Sequence, residues 1–284
     1  MEAESEPVSG ATGKVNIYFD TSSWNDLVKR PDREELINLI KHRKQLVLAS
    51  VISAGEVLRT SDDLLRQQLC SAMRALHGDG PLLERSFNEL ARAAAQCVLQ
   101  GQGDFLIRET GSGKHLRDCI FGAAQPPPTD EIWGWLRNMH DNMERFIQES
   151  KPPEPDLTTC YLSPEVLARE DFLKLLCKLP PAEELGVSVS EMRAICEKSD
   201  VWKALRATLA YIIELSTTHA PKNINGHRRP GVQDLWQAPY LGVVEVFVTS
   251  DGPMLEAIYK ISALLPYPRW VVCTKEFFER LQCK

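Results

Sequence analysis

Two short apolar runs, near opposite ends of a chain of 284 residues, each deliver an aspartate where a strand should stop. The first is Val15-Asn16-Ile17-Tyr18-Phe19-Asp20, followed by Thr21-Ser22-Ser23. The second is Val243-Val244-Glu245-Val246-Phe247-Val248-Thr249-Ser250-Asp251, followed by Gly252-Pro253. In an open α/β sheet, ligands bind outside the carboxyl ends of the strands. Two carboxylates brought together at such an edge repel each other unless a positive group sits between them. A divalent cation is the simplest such group.

The rest of the chain can be read around these two runs. After Asp20 comes a short helix carrying Trp24, Leu27 and Val28, which Pro31 interrupts. A second helix, 33–42, puts Leu36, Ile37, Leu39 and Ile40 on one side. Gln45 to Ser50 reads as a second buried strand, and Ser53-Ala54-Gly55-Glu56-Val57-Leu58 as a helix start. Strand, helices, strand, helix is the cadence of a parallel α/β sheet. It then stops. Residues 61–199 show helices and punctuation but no strand pattern. Helices are expected over 62–73, 82–99, 163–177 and 191–196, with an i, i+4, i+7 apolar stripe from Ile132 to Ile147. Gly101-Gln102-Gly103 and Gly111-Ser112-Gly113 read as loops. The α/β pattern resumes with a helix over 201–216, a polar loop 219–232, and a short helix from Asp234 to Tyr240. The strand to Ser250 comes next, then a helix 253–264, a strand 270–273 and a final helix 275–281. The sequence therefore divides into an acidic lead-in over 1–13, expected to be disordered, an α/β domain formed by 14–60 and 200–284, and a helical insertion over 61–199.

Composition narrows the function classes. Apolar residues make up 43% of the chain, enough for a sizeable core. No apolar run approaches the roughly 20 residues that span a bilayer, and the N-terminus lacks a signal peptide's basic start and apolar middle. No membrane association and a cytoplasmic location are expected. Eight cysteines are scattered with no Cys-x-x-Cys pair, and the six histidines show no His-x-x-x-His spacing. Reduced thiols are expected rather than disulfides or zinc. A formal net charge of −6 argues against a protein that coats nucleic acid nonspecifically. It leaves a nuclease open, because a metal cancels the charge of its carboxylates locally. Two basic clusters stand out, Lys41-His42-Arg43-Lys44 at a helix end and His227-Arg228-Arg229 just before Asp234.

Four acids share one type of position, at or near a helix start: Asp20, Glu56, Asp234 and Asp251. Each also has an ordinary structural use. Asp20, Asp234 and Asp251 suit N-caps, and Ser53-x-x-Glu56 matches a capping box. Taken together, two strand-end aspartates and two acids on flanking helices could converge at one sheet edge and hold one or two Mg²⁺ or Mn²⁺ ions, which prefer oxygen ligands.

The order of these motifs resembles the PIN-domain family of metal-dependent ribonucleases. The family pattern places an Asp at the end of the first strand, a Glu on the helix after the second, an Asp at a later helix, and Thr-x-Asp closing a strand. Here these read Phe19-Asp20-Thr21-Ser22, Ser53-Ala54-Gly55-Glu56-Val57, Asp234-Leu235-Trp236 and Val248-Thr249-Ser250-Asp251. The resemblance covers about 14–60 and 200–282, and the long insertion departs from it. It implies a three-layer α/β/α fold with a central parallel sheet, and metal-dependent hydrolysis of phosphodiester bonds in single-stranded RNA, in some members as toxins. Asp20, Glu56, Asp234 and Asp251 are then the metal ligands and catalytic groups. Thr21, Ser22 and Thr249 orient ligands or waters, and Arg228 and Arg229 grip a substrate phosphate. Trp24, Trp236 and Tyr240 are candidates to stack a base, with core packing as the plainer use. A homodimer, and a protein partner or antitoxin docked on the insertion, are further expectations of the resemblance.

Three rival readings differ in class. A haloacid-dehalogenase-type phosphatase needs a second Asp two positions after Asp20, where Ser22 stands. A P-loop at Gly111-Ser112-Gly113-Lys114 lacks its first Gly, with Arg108 in that place, and its Ser/Thr, with His115 there. The third is a non-catalytic PIN-like scaffold that binds RNA or protein through the insertion.

Overall fold

The structure is a computed structural model that describes residues 15–78, 87–102, 111–122, 124–128, 130–132, 134, 138, 145, 162–217, 223–224, 227–228, 232–267 and 269–283. Four strands form one sheet: β1 (Asn16–Phe19), β2 (Leu46–Leu48), β5 (Val246–Thr249) and β6 (Trp270–Cys273). Their order is β2-β1-β5-β6, and every neighbouring pair is parallel. The intervening β3 (Asn223–Ile224) and β4 (His227–Arg228) make a separate antiparallel ribbon. The two aspartate-bearing runs are therefore adjacent strands, paired in register from Ile17↔Val246 to Phe19↔Val248.

Side chains alternate across a strand, and here the alternation builds two cores. Ile17, Phe19, Val47, Val246, Val248 and Val272 enter one of them. There they meet α1 (Thr21–Lys29), α2 (Arg33–His42), α3 (Val51–Leu58), α4 (Asp63–His77), α6 (Gly111–Ile120) and, at the far end of the chain, Thr274–Gln282. Tyr18, Leu48 and Phe247 enter the other core. They meet α5 (Phe87–Leu99), α7 (Pro164–Ala168), α8 (Glu170–Cys177), α9 (Pro180–Glu183), α10 (Val189–Lys198), α11 (Asp200–Thr217), α12 (Val232–Leu235) and α13 (Gly252–Ser262). The helix Thr274–Gln282 is α14. The fold is thus α/β, an all-parallel sheet with helices on both faces. A sheet buried on both sides explains why its strands read as continuous apolar runs.

Among the described residues of 61–199 all regular structure is helical. These helices serve both layers: α4 and α6 pack on one face, while α5 and α7–α10 pack on the other. Two readings of this stretch change. Gly111-Ser112-Gly113 opens α6 rather than a loop. The helix is carried by Leu116, Cys119 and Ile120, all buried, and glycine is tolerated in a first turn. The single helix expected over 163–177 is two, broken at an extended Arg169. Glu170 and Asp171 then supply negative charge to the new N-terminus, where the helix dipole favours it. Most of the 132–147 stripe lies outside the described residues.

Close approach demands a glycine at one point. The 3₁₀ turn Ala238–Gly242 crosses the start of α11, and a Cβ on Gly242 would stand 2.4 Å from both Cα and N of Val201. Among the described residues no helix is long and apolar enough to cross a membrane. The seven described cysteines are free thiols, and Cys160 lies outside the described residues.

Candidate functional site

Asp20 leaves β1 but remains tied to the sheet through its amide, which donates to Val248 O at 3.2 Å. Its side chain is 5% exposed and is surrounded by donors. Oδ1 accepts from the Ser23 amide (2.8 Å), Ser23 Oγ (2.9 Å) and Ser22 Oγ (2.8 Å). Oδ2 accepts from Thr249 Oγ1 at 2.6 Å and from Ser22 Oγ at 2.9 Å. Asp20 is therefore the N-cap of α1, but it does more than cap. Thr249 reaches it from the neighbouring strand and Ser22 adds a hydroxyl. Burial pushes the Asp20 carboxyl above the usual range, and the hydrogen bonds from Thr249, Ser23 and Ser22 pull against that.

Glu56 sits on α3, and the helix start around it differs from the sequence expectation. The N-cap is Ser50, and the capping box joins Ser50 to Ser53. Ser50 Oγ accepts from the Ser53 amide at 3.1 Å, and Ser53 Oγ accepts from the Ser50 amide at 3.0 Å. The capping role assigned to Glu56 is thus filled by Ser53, and Glu56 lies mid-helix. Its Oε2 instead accepts a hydrogen bond from Thr21 Oγ1, in the first turn of α1. Burial raises its proton affinity. The Thr21 bond opposes this, Asp234 repels, Arg59 attracts, and Asp20 repels again. Asp234 is in the first turn of α12 and is half-buried. Glu56 is thus repelled both by Asp234 and by Asp20, and its hydrogen bond to Thr21 ties it to the residue that follows Asp20. Tyr18 lies beneath them, with its hydroxyl donating to Gln237 Oε1 at 2.6 Å and meeting Ser50 Oγ at 2.9 Å. Its phenol is raised well above normal by burial first, with Asp20 and Glu56 also contributing.

Asp251 is at the same sheet edge but in different surroundings. It is exposed and caps α13 through Oδ1, which accepts from the Met254 amide at 2.8 Å. Its link to Asp20 is indirect. The Asp251 amide donates to Thr249 Oγ1 at 3.1 Å, and Thr249 Oγ1 donates to Asp20. Arg228 stands on β4 of the short ribbon. Arg229 and the side chain of Arg228 lie outside the described residues. Trp24, Trp236 and Tyr240 are at most 1% exposed, so none of them presents a face to a base, and their place is the core.

Sequence reasoning named the hydroxyls of Thr21, Ser22 and Thr249 and missed those of Ser23, Ser250 and Thr274. Ser23 Oγ meets Thr274 Oγ1 at 2.8 Å, and Thr274 Oγ1 accepts from Ser250 Oγ at 2.6 Å. Ser250 Oγ also lies against the Asp26 carboxylate, and its amide donates to Ser22 Oγ at 2.8 Å. The unbroken Asp20-Thr21-Ser22-Ser23 run was the available signal. Asp26, Ser250 and Thr274 had none, because each is brought in by tertiary packing.

A hard divalent cation suits this donor set in kind, since it is made of oxygen and its acids repel. The spacing is looser than a finished coordination sphere. Among the described residues no group of three or more His, Cys, Asp or Glu side chains is gathered closely enough to hold a metal ion, and both oxygens of Asp20 already accept hydrogen bonds.

The chain matches no protein-family model, and no curated protein or solved structure matches it at a significant level.

Proposed function

We propose that this chain is a Mg²⁺- or Mn²⁺-dependent endoribonuclease of PIN-like architecture that hydrolyses phosphodiester bonds of single-stranded RNA. The observation that supports the reading is the approach of Glu56, through Thr21, to Asp20 at the carboxyl edge of a parallel sheet, with Asp234 near enough to repel Glu56; α/β folds bind ligands at that edge. Asp20 is buried and Glu56 half-buried, and burial raises the proton affinity of both.

Asp20, Glu56 and Asp234 would hold the ion, and Asp251 would reach it through water. When bound, such an ion supplies a water of lowered pKa and positive charge for the leaving 3′ oxygen. The chain supplies orientation. Thr249 and Ser22 fix the plane of the Asp20 carboxylate, and Thr21 holds Glu56 toward Asp20. Phe19 and Trp24 pack edge to face beside it, both fully buried. Hydroxyl donors of this kind are worth about 10–100-fold in metal affinity or activity.

A second reading has its own support. Asp20 and Asp251 both cap helices, so both have a structural use in a chain that cleaves nothing. In that case the chain is a PIN-like scaffold that binds RNA or a protein partner through the helices of 61–199. Cleavage of a labelled single-stranded RNA pool separates the two. The nuclease reading expects cleavage with Mn²⁺, none with EDTA, and none from Asp20→Asn. Folded wild type that leaves the pool intact with Mg²⁺ and Mn²⁺, or cleavage that survives Asp20→Asn, would overturn it.

A further inference from the structure

An open groove of about 580 Å³ lies between α1 and α14, lined by Asp26, Lys29, Arg30, Asp32, Thr274, Lys275 and Phe278. It begins next to the acids. Thr274, which lines it, touches Ser23 Oγ at 2.8 Å, and Ser23 donates to Asp20. Ser250 joins the same edge through Thr274 and Asp26. The groove therefore starts two hydroxyls from the Asp20 carboxylate and runs away from it along α1.

Its cations are arranged for different tasks. Arg30 is held rigid: Nε and Nη2 each donate to Asp32 at 2.8 Å, a bidentate pair. The hydrogen bonds from Arg30 hold Asp32 down to about 2. One guanidinium face is backed by the Phe278 ring, 5.4 Å from its centroid. The side chain remains 32% exposed and lines the groove. Guanidinium planes of this kind stack bases in single-stranded RNA recognition. Lys29 and Lys275 are exposed on either side. Lys275 has a loose contact with Glu279 at 3.9 Å, and Lys29 has no ion-pair partner among the described residues. Of the groove's two acids, Asp32 is neutralised by Arg30 and Asp26 is engaged by Ser250.

We infer that this groove is the subsite for a nucleotide flanking the scissile phosphate, with Arg30 stacking its base and Lys29 and Lys275 contacting its backbone. The inference rests on the nuclease reading for the identity of the strand. Stacking on Arg30 accepts any base, so the subsite confers affinity and register without sequence preference.

Binding of a short fluorescent single-stranded RNA, followed by anisotropy in EDTA, tests the groove without any cleavage. The double variant Lys29→Ala/Lys275→Ala is expected to bind about 10-fold more weakly. Its salt dependence between roughly 50 and 200 mM should be shallower by about 1.4 in log–log slope, from two lost phosphate contacts. Arg30→Lys keeps the charge and loses the plane, so it should bind about 5–10-fold more weakly with the slope unchanged. The circular dichroism melting curve of each variant guards against misfolding. Wild-type affinity and slope in the double variant, or wild type that binds no RNA, would overturn the subsite. Wild-type affinity in Arg30→Lys would remove the stacking role. RNA that binds through the groove without being cleaved under Mn²⁺ sinks the nuclease reading alone. Cleavage with unaltered binding in the groove variants sinks the subsite alone.

Discussion

Two neighbouring strands end in nearly the same way, and the chain treats their aspartates differently. Asp20 closes β1 and Asp251 comes just after β5. Each precedes a helix, and each accepts the amide three residues on at 2.8 Å. Asp20 is 5% exposed and also receives hydroxyls from Ser22, Ser23 and Thr249. Asp251 is exposed and receives one amide. The contrast comes from how far each aspartate lies beyond its strand. Both strands are flanked on two sides, but Asp20 follows β1 directly and meets Thr249 and Ser22, whereas Asp251 stands two residues beyond the end of β5. The same residue type at the same local position can therefore be an ordinary cap or a buried, crowded charge, and only the neighbours decide which.

Substitutions at the two positions put this contrast to the test. Taking the largest effect first, Asp20→Asn should lower Mn²⁺-dependent RNA cleavage by about 10³-fold or more, while Asp251→Asn, acting through water, should lower it by about 10–100-fold. Equal losses in single-turnover assays would erase the distinction. Thr249→Val, which removes the hydroxyl shared by both aspartates, should weaken Mn²⁺ binding by about 10–100-fold, read by electron paramagnetic resonance. An unaltered affinity would mean that Asp20 needs no help to be oriented.

Stability should rank the same way with smaller steps. Asp20→Ala removes a cap and leaves the hydroxyls of Ser22, Ser23 and Thr249 facing an empty site, at a cost of about 3 kcal/mol in urea unfolding. Asp251→Ala removes a cap alone and should cost about 1 kcal/mol. Similar values would place both residues in the plain capping class. The smallest effect is on pH. Asp20 and Glu56 have folded-state values raised by burial, so the native chain holds more protons than the unfolded one above the ordinary carboxylate range. Their contribution to stability should fall as pH rises from about 4 through the raised values and then level off. In EDTA, Glu56→Gln should flatten that decline and raise Tm at neutral pH, and saturating Mn²⁺ should do the same for wild type. A Tm that is insensitive to Glu56→Gln in this window would show that the acids do not strain one another.

Much of the sheet was legible in the sequence. The apolar runs ending near Asp20, Ser50, Ser250 and Cys273 are all strands of the sheet, because a strand buried on both faces needs continuous apolar residues. The start of α13 was legible from Asp251 with Pro253, whereas the capping box of Ser188 and Glu191 starts α10 at Val189, two residues before the expected start. Errors arose where a local motif had two solutions. Ser53-x-x-Glu56 looks like a capping box, but Ser50 and Ser53 form a tighter one three residues earlier, which leaves Glu56 to reach Thr21. The hydroxyls of Thr274 and Ser250, and the carboxylate of Asp26, could not be placed from spacing, since none has a local pattern to announce it. The same holds for the helices of 61–199. Their periodicity showed that they bury a face, but not that they divide between the two sides of the sheet.

Strand order has a consequence for synthesis. β1 lies between β2, made soon after it, and β5, whose Thr249 hydroxyl reaches Asp20 from 229 residues downstream. At ribosomal speeds of about 5–20 residues per second, the first aspartate waits roughly 10–45 s for that partner. An unfinished chain still on the ribosome carries Asp20 and Glu56 but not Asp234, Thr249 or Asp251. On the proposed nuclease reading, the site is complete only once Asp251 has been made.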